Sequence, residues 1–198
     1  MAIRISKQTK GDIKMVRMKF YGLGGQGVVT AGKVLSSAVS LYEDKYAVTI
    51  PAYGHERRGA PVYTDIIIDD KPVLVNCFVY EPDIVVVLDE TIIQKHVDIA
   101  KGIHENTILV LNAGSQKTVE AYQEKYSFKK MYYVNATQAA LETIGVSIPN
   151  GAVLGALART GVVSIESVEK ALKDFFGEKA GEKNADAARR SWSRTKEA

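Results

Sequence analysis

Two hydrophobic periods alternate along the first 150 residues. Val16 to Tyr21 interleaves apolar with basic residues and runs into a glycine cluster, the pattern of a first strand. From Gln26 the apolar positions Val28, Val29, Ala31, Val34, Leu35, Ala38, Val39 and Leu41 recur at spacings of three and four, which predicts a helix with one broad buried face. Tyr46 to Ile50 reads as a short second strand halted by Pro51, and Pro51 to Gly59 as a polar, charged loop. Val62 to Ile68 is rich in β-branched residues and predicts a strand. Asp69-Asp70-Lys71-Pro72 turns it, with Val73 to Val79 as the expected returning arm of a hairpin. Ile84 to Leu88 is apolar without a break, as a central strand covered on both faces must be.

Glu90 to Ile103 reads as helical, Thr107 to Leu111 as another buried strand closed by Asn112-Ala113-Gly114, and Met131 to Val134 as a short strand leading into a helix over Ala136 to Ile144. From Asn150 the pattern is helical throughout. Asn150 is the expected N-cap of a helix over Ala152 to Ala158, and Ser164 that of one over Glu166 to Phe176. Strands alternating with helices predict an α/β fold: a Rossmann-like, mostly parallel sheet wrapped by helices, with an antiparallel hairpin insertion and a helical C-terminal part. We find no repeat and no linker, and expect residues 16–198 to form one domain behind an N-terminal extension, 1–15.

Charge changes this picture little. The chain carries 26 basic and 23 acidic residues, a net of +3 over 198 residues. Residues 1–19 hold six cations (Arg4, Lys7, Lys10, Lys14, Arg17, Lys19) against Asp12, so the rest of the chain is slightly acidic. That argues against a nucleic-acid-binding face. No run approaches the ~18 apolar residues of a membrane span, and residues 1–19 lack the apolar core of a secretory signal, so a cytoplasmic chain is expected. Cys77 is the only cysteine. One thiol cannot supply the thiolates of an iron–sulfur cluster, and His55, His96 and His104 have no zinc-like spacing. His96 is expected on an amphipathic helix and His104 near its end, both as surface or cap residues. Tyr132, Tyr133 and Trp192 read as core or interface aromatics, Trp192 as the interface one.

Two segments carry candidate chemistry. Gly22-Leu23-Gly24-Gly25-Gln26-Gly27 matches G-x-G-x-x-G between a strand and a helix, where glycines allow close backbone approach and the helix N-terminus favours an anion. A dinucleotide site also needs a carboxylate at the end of the second strand. That strand ends Val48-Thr49-Ile50-Pro51, while Glu43 and Asp44 precede it. A tight packing turn, a loop facing a partner subunit or a phosphate-bearing ligand, and a free-standing NAD(P)-binding oxidoreductase all remain readings of the glycines. Pro51 to Ala60 gathers Tyr53, Gly54, His55, Glu56, Arg57, Arg58 and Gly59. Leaving the second strand, this loop should flank the same surface as the glycine loop and could clamp an anion or meet another chain.

Together with Asn150-Gly151-Ala152-Val153-Leu154-Gly155-Ala156 and Lys183-Asn184, these motifs resemble the gamma subunit of 2-oxoacid:ferredoxin oxidoreductases, over about Val16 to Trp192. Ala60 stands where that family usually has a second glycine, and residues 1–15 lie outside its pattern. The resemblance implies a cytoplasmic, heteromeric complex with alpha, beta and delta-type subunits, in which a 2-oxoacid is oxidatively decarboxylated, usually to an acyl-CoA. It implies ferredoxin or an NAD-reducing subunit as acceptor, and thiamine diphosphate, Mg2+ and 4Fe-4S clusters held elsewhere than on this chain. No catalytic or metal-binding residue is expected here. The resemblance implies that such a subunit packs on the thiamine-bearing subunits and helps cover the coenzyme A entrance, and we expect Gly22, Gly24, Gly25, Gln26 and Gly27, with Tyr53, Gly54, Glu56, Arg57, Arg58 and Gly59, to form that surface toward coenzyme A or a partner subunit.

Overall fold

The computed structural model describes residues 15–52, 58–74 and 76–198. Seven strands form one sheet: β1 (Val16–Leu23), β2 (Tyr46–Pro51), β3 (Pro61–Asp69), β4 (Ile84–Val87), β5 (Ile108–Asn112), β6 (Lys130–Val134) and β7 (Lys196–Glu197), in the order β2-β3-β1-β4-β5-β6-β7. β1, β4, β5 and β6 run parallel. β3 is antiparallel to both β1 and β2, and β7 to β6.

The period of two along each strand sorts side chains between two cores. Met18, Phe20, Ile66, Ile68, Val86 and Val110 face one side, under α1 (Val28–Tyr42), α3 (Ala136–Thr143), α4 (Asn150–Ala158), α5 (Ile165–Phe176) and α6 (Glu178–Arg194). Tyr21, Val85, Val87, Leu109 and Leu111 face the other. There they meet Ile92 of a 3-10 helix (Glu90–Lys95), Ile99, and Val119 and Tyr122 of α2 (Gln116–Lys125). β4 is buried at all four positions, as its unbroken apolar run requires.

α4 is buried at all nine residues and so has no polar face. α6 crosses it at Gly155, where a Cβ would stand 1.9 Å from the carbonyl oxygen of Ala188. Glycine is what allows the two backbones to touch. At the start of α5 the Ser164 hydroxyl accepts from the Ser167 N–H, as its sequence position predicts. Ser164 N–H in turn donates to the Glu43 carboxylate at 2.6 Å, tying the end of α1 to the start of α5.

Three local expectations are corrected. The hairpin joins β2 to β3, and no described residue of 73–79 is in a strand. Those residues are almost all apolar, but the sheet positions they would need beside β3 are taken by β2 and β1. Glu90 to Ile103 is not one helix: the 3-10 helix stops at His96, whose φ of 59° is left-handed, and turns follow. Only Ile92 and Ile99 are buried there, too few to hold a regular helical stripe. Asn150 is the first residue of α4 and not its cap, Pro149 preceding it. Trp192 packs half-buried on the helical core, its ring 5.2 Å from the Arg159 guanidinium carbon. α2 and β7 complete the fold. None of the described helices is long and apolar enough to cross a membrane.

Candidate functional site

The C-terminal ends of the parallel strands share one edge of the sheet, and the glycine loop lies on it after β1. Gly22 must be glycine for packing. A Cβ there would come within 2.7 Å of Val28 Cγ2 and 3.2 Å of Leu88 Cβ, so its absence lets α1 settle against β1 and β4. Gly25 and Gly27 have φ of 97° and 75°, a backbone region costly for other residues.

Gln26 is turned inward. Its Oε1 accepts from the Leu23 N–H at 2.8 Å, and its Nε2 donates to Asp89 Oδ2. Asp89 Oδ1 accepts from the Thr91 N–H at 2.8 Å, capping the 3-10 helix. Gln26 therefore fastens the glycine loop to the segment after β4, and its amide is occupied within the chain.

The second candidate loop returns to the first, as its position after β2 predicts. Gly24 N–H donates to Ala60 O at 2.8 Å, and Gly59 N–H donates to Gly24 O at 3.0 Å. Arg58 passes beside Gly25, its Cγ 3.7 Å from where a Cβ would be. Gly22, Gly24, Gly25, Gln26, Gly27, Arg58 and Gly59 thus form one contiguous patch. Tyr53, Gly54, His55, Glu56 and Arg57 lie outside the described residues.

The strand order decides the dinucleotide question. In a nucleotide-binding unit the strand after the first helix lies beside β1 and ends in the ribose-holding carboxylate. Here β3 lies between them, in the opposite direction, and the residues paired with Gly22 and Leu23 are Val62 and Pro61. Neither they nor Ile50 and Pro51 at the end of β2 can bind a ribose diol. Glu43 and Asp44 lie at the far end of β2. The reading as a free-standing NAD(P) enzyme has no support in this arrangement.

Asn150 also belongs to the patch, in place of the helix-capping role its sequence position predicts. A Cβ on Gly27 would lie 2.4 Å from its Nδ2. The signal is its place in the Asn150-Gly151 pair, but only the fold brings it beside residue 27. Asn112, which no motif singles out, is architectural. Its Nδ2 donates to Leu88 O and Thr137 Oγ1, and its Oδ1 accepts from the Ala136 N–H, joining β4, β5 and α3.

Elsewhere, a cleft of about 330 Å³ opens on the sheet face opposite α1, lined by Lys19, Tyr21, Tyr63, Phe78, Val79, Tyr80 and Lys101. Beside it Lys19 Nζ lies 2.8 Å from Asp65 Oδ1, the carboxylate being wholly buried, and Val79 N–H donates to Asp65 Oδ2. Burial pushes the Tyr21 hydroxyl well above the ordinary phenol value, and Asp65 adds to the shift. His104 lies 3.4 Å from Asp83, and Cys77 is exposed. Among the described residues no three of His, Cys, Asp and Glu converge as metal ligands.

The family model described as "Pyruvate ferredoxin/flavodoxin oxidoreductase" matches residues 17–193. The common gamma subunit of the pyruvate/ketoisovalerate oxidoreductases of Pyrococcus abyssi is 46% identical over 182 residues, covering 91% of this chain and 97% of that one. The pyruvate synthase subunit PorC of Methanocaldococcus jannaschii is 43% identical over 175 residues, 88% of this chain and 93% of the other. The crystal structure of the pyruvate oxidoreductase subunit PORC of Thermotoga maritima superposes with a TM-score of 0.79 at 34% identity, covering 93% of this chain and 99% of that one.

Proposed function

Because the chain belongs to the pyruvate ferredoxin/flavodoxin oxidoreductase family, as a gamma-type subunit of a 2-oxoacid oxidoreductase complex, we propose that it contributes the wall of the active-site entrance facing coenzyme A, together with subunit contacts, and no cofactor chemistry of its own. One observation carries this reading. The glycine loop and the loop ending at Arg58-Gly59 are pinned together by reciprocal backbone hydrogen bonds at the open edge of the sheet, with the helix N-terminus and Arg58 side by side. Both are suited to an anion and neither is suited to a ribose diol.

In this reading thiamine diphosphate, Mg2+ and 4Fe-4S clusters, which supply the decarboxylation and the electron transfer, reside on alpha, beta and delta-type partners. A single cysteine cannot hold a cluster, which supports that division. The acceptor is ferredoxin or an NAD-reducing subunit. The role given to this chain is binding: Arg58 meets a phosphate, a charge-assisted contact of about 1.5–3 kcal/mol. Arg58→Ala in the assembled complex should raise the KM for coenzyme A about 10- to 100-fold. A variant that assembles normally with an unchanged KM would refute the reading.

A further inference from the structure

The two outer strands of the sheet are finished differently. β7 is Lys196 and Glu197 alone, both charged, with Glu197 paired to Lys130 at 2.8 Å, and it offers little to an incoming strand. β2 is Tyr46-Ala47-Val48-Thr49-Ile50-Pro51, which carries no charge and is mostly β-branched or aromatic. The cation that precedes it, Lys45, is turned back to the Glu43 carboxylate and the Val162 carbonyl, each at 3.4 Å, and does not guard the strand. Among the described residues none pairs with the outer side of β2.

Which backbone groups face outward follows from one bond. Ala52 N–H donates to Tyr63 O, so in an antiparallel ladder Ile50, Val48 and Tyr46 also turn their N–H and C=O toward β3. Ala47, Thr49 and Pro51 turn theirs away. The N–H that proline lacks therefore falls on the outer side, where no bond to β3 is lost. Side chains sort with the same period. The Thr49 hydroxyl lies 2.6 Å from that of Ser36 on α1, and Ala47 packs on the same core. Tyr46, Val48 and Ile50 take the opposite face, where Tyr46 is 48% exposed.

We propose that β2 pairs antiparallel with β2 of a second copy of this chain, about a two-fold axis at Val48. An open edge accepts any extended strand; a second copy is selected because this strand is complementary to itself. With Val48 opposite Val48, Ala47 and Thr49 of each copy exchange N–H···O=C bonds with Thr49 and Ala47 of the other, which uses every outward donor of the strand. Tyr46 then faces Ile50 of the second copy, an aromatic against a β-branched residue. Lys45 meets Pro51 and Asp44 meets Ala52, so no like charges are opposed. Moving the axis to Thr49 would set Ala47 against Pro51, which has no N–H. Moving it to Ala47 would set Thr49 against Lys45, whose N–H is bound to Val39 O. Only the register at Val48 is complete. Tyr46 to Ile50 spans about 17 Å, too short to bury the roughly 1,200–2,000 Å² of a stable interface. The contact is therefore a joint between assembled complexes and not a dimer of the free chain, and it is independent of which groups meet coenzyme A.

The test weighs the purified complex by light scattering. The wild-type complex should hold two copies of this chain. Val48→Lys, which brings two cations together at the axis, should halve the mass, and so should Val48→Glu. Mixing the two purified variants at low salt should restore the doubled mass, because only a contact of position 48 with itself makes these changes complementary. If neither substitution gives a folded complex, Tyr46→Glu, at the more exposed position, is read for the same halving. A wild-type complex with one copy of this chain, a folded variant complex of undiminished mass, or failure of the two Val48 variants to recombine overturns the pairing. Loss of another subunit in place of halving would assign the edge to a strand of that subunit and overturn it equally.

Discussion

Replacing Gly155 by alanine tests how closely α4 and α6 are packed. The new Cβ would lie 1.9 Å from Ala188 O, 2.7 Å from its carbonyl carbon and 3.0 Å from its Cα. These are backbone atoms of a 17-residue helix and cannot rotate away. Carbon–oxygen contacts settle at about 3.3 Å, so the helices must part by about 1.4 Å. Overpacking of this kind costs about 3 kcal/mol. Alanine returns about 1 kcal/mol through its better helix propensity. The net loss is about 2 kcal/mol, a fall of about 4–8 °C in Tm for a chain of this length.

Gly32→Ala is the matched control. Its Cβ would meet methyl groups, Thr49 Cγ2 at 2.9 Å and Thr64 Cγ2 at 3.2 Å, which belong to side chains able to shift. The same gain in propensity applies, so its stability should stay within about 1 kcal/mol of wild type. Thermal unfolding of both variants, followed by circular dichroism, makes the comparison. A Gly155→Ala protein as stable as wild type would refute the close-contact argument, since propensity alone would then govern both sites.

Lys19→Met leaves the buried Asp65 with the Val79 N–H but no cation, and should destabilise the chain by about 3–5 kcal/mol. Denaturant titration measures it, and a loss below about 1 kcal/mol would mean that solvent reaches the carboxylate. Burial pushes the Glu43 carboxyl up, but hydrogen bonds from Ser164 and Ser167 and the Lys45 charge outweigh it, so its titration lies below the ordinary value of 4.5. A lowered carboxyl stabilises above the unfolded value and ceases to as pH falls through the folded one. Glu43→Gln should therefore be less stable than wild type at neutral pH, by about 0.5 kcal/mol after screening, with the gap closing below pH 4.5. A gap that is constant with pH would contradict this.

The fold class was legible because β1, β4 and β5 carry strong, uninterrupted patterns and α1 and α5 strong periodic ones. Strand order was not legible. The residues of β3 fit a hairpin with Tyr46 to Ile50 as well as one with Val73 to Val79, and only the assembled sheet, in which β3 lies between β1 and β2, makes the choice. α2 escaped notice because only Val119 and Tyr122 are buried in ten residues, too sparse a stripe to rise above its polar surroundings. Glu90 to Ile103 misled in the opposite sense, since two isoleucines seven apart imitate a helical face. At the candidate site, Gly24, Gly25 and Arg58 were legible from local chemistry. Asn150 was legible as a polar residue at a helix start, but its neighbour is 123 positions away in sequence, and no local pattern encodes that approach.

The placement of β3 between β1 and β2 dictates an order of events during synthesis. β2 leaves the ribosome before β3, yet β3 is its sole sheet neighbour. The nascent chain must therefore carry Tyr46, Val48 and Ile50 without a sheet partner until Pro61 to Asp69 has emerged. The glycine-bearing corner therefore gains its clamp from Gly59 and Ala60 only after this segment has been made and β3 has paired with β1.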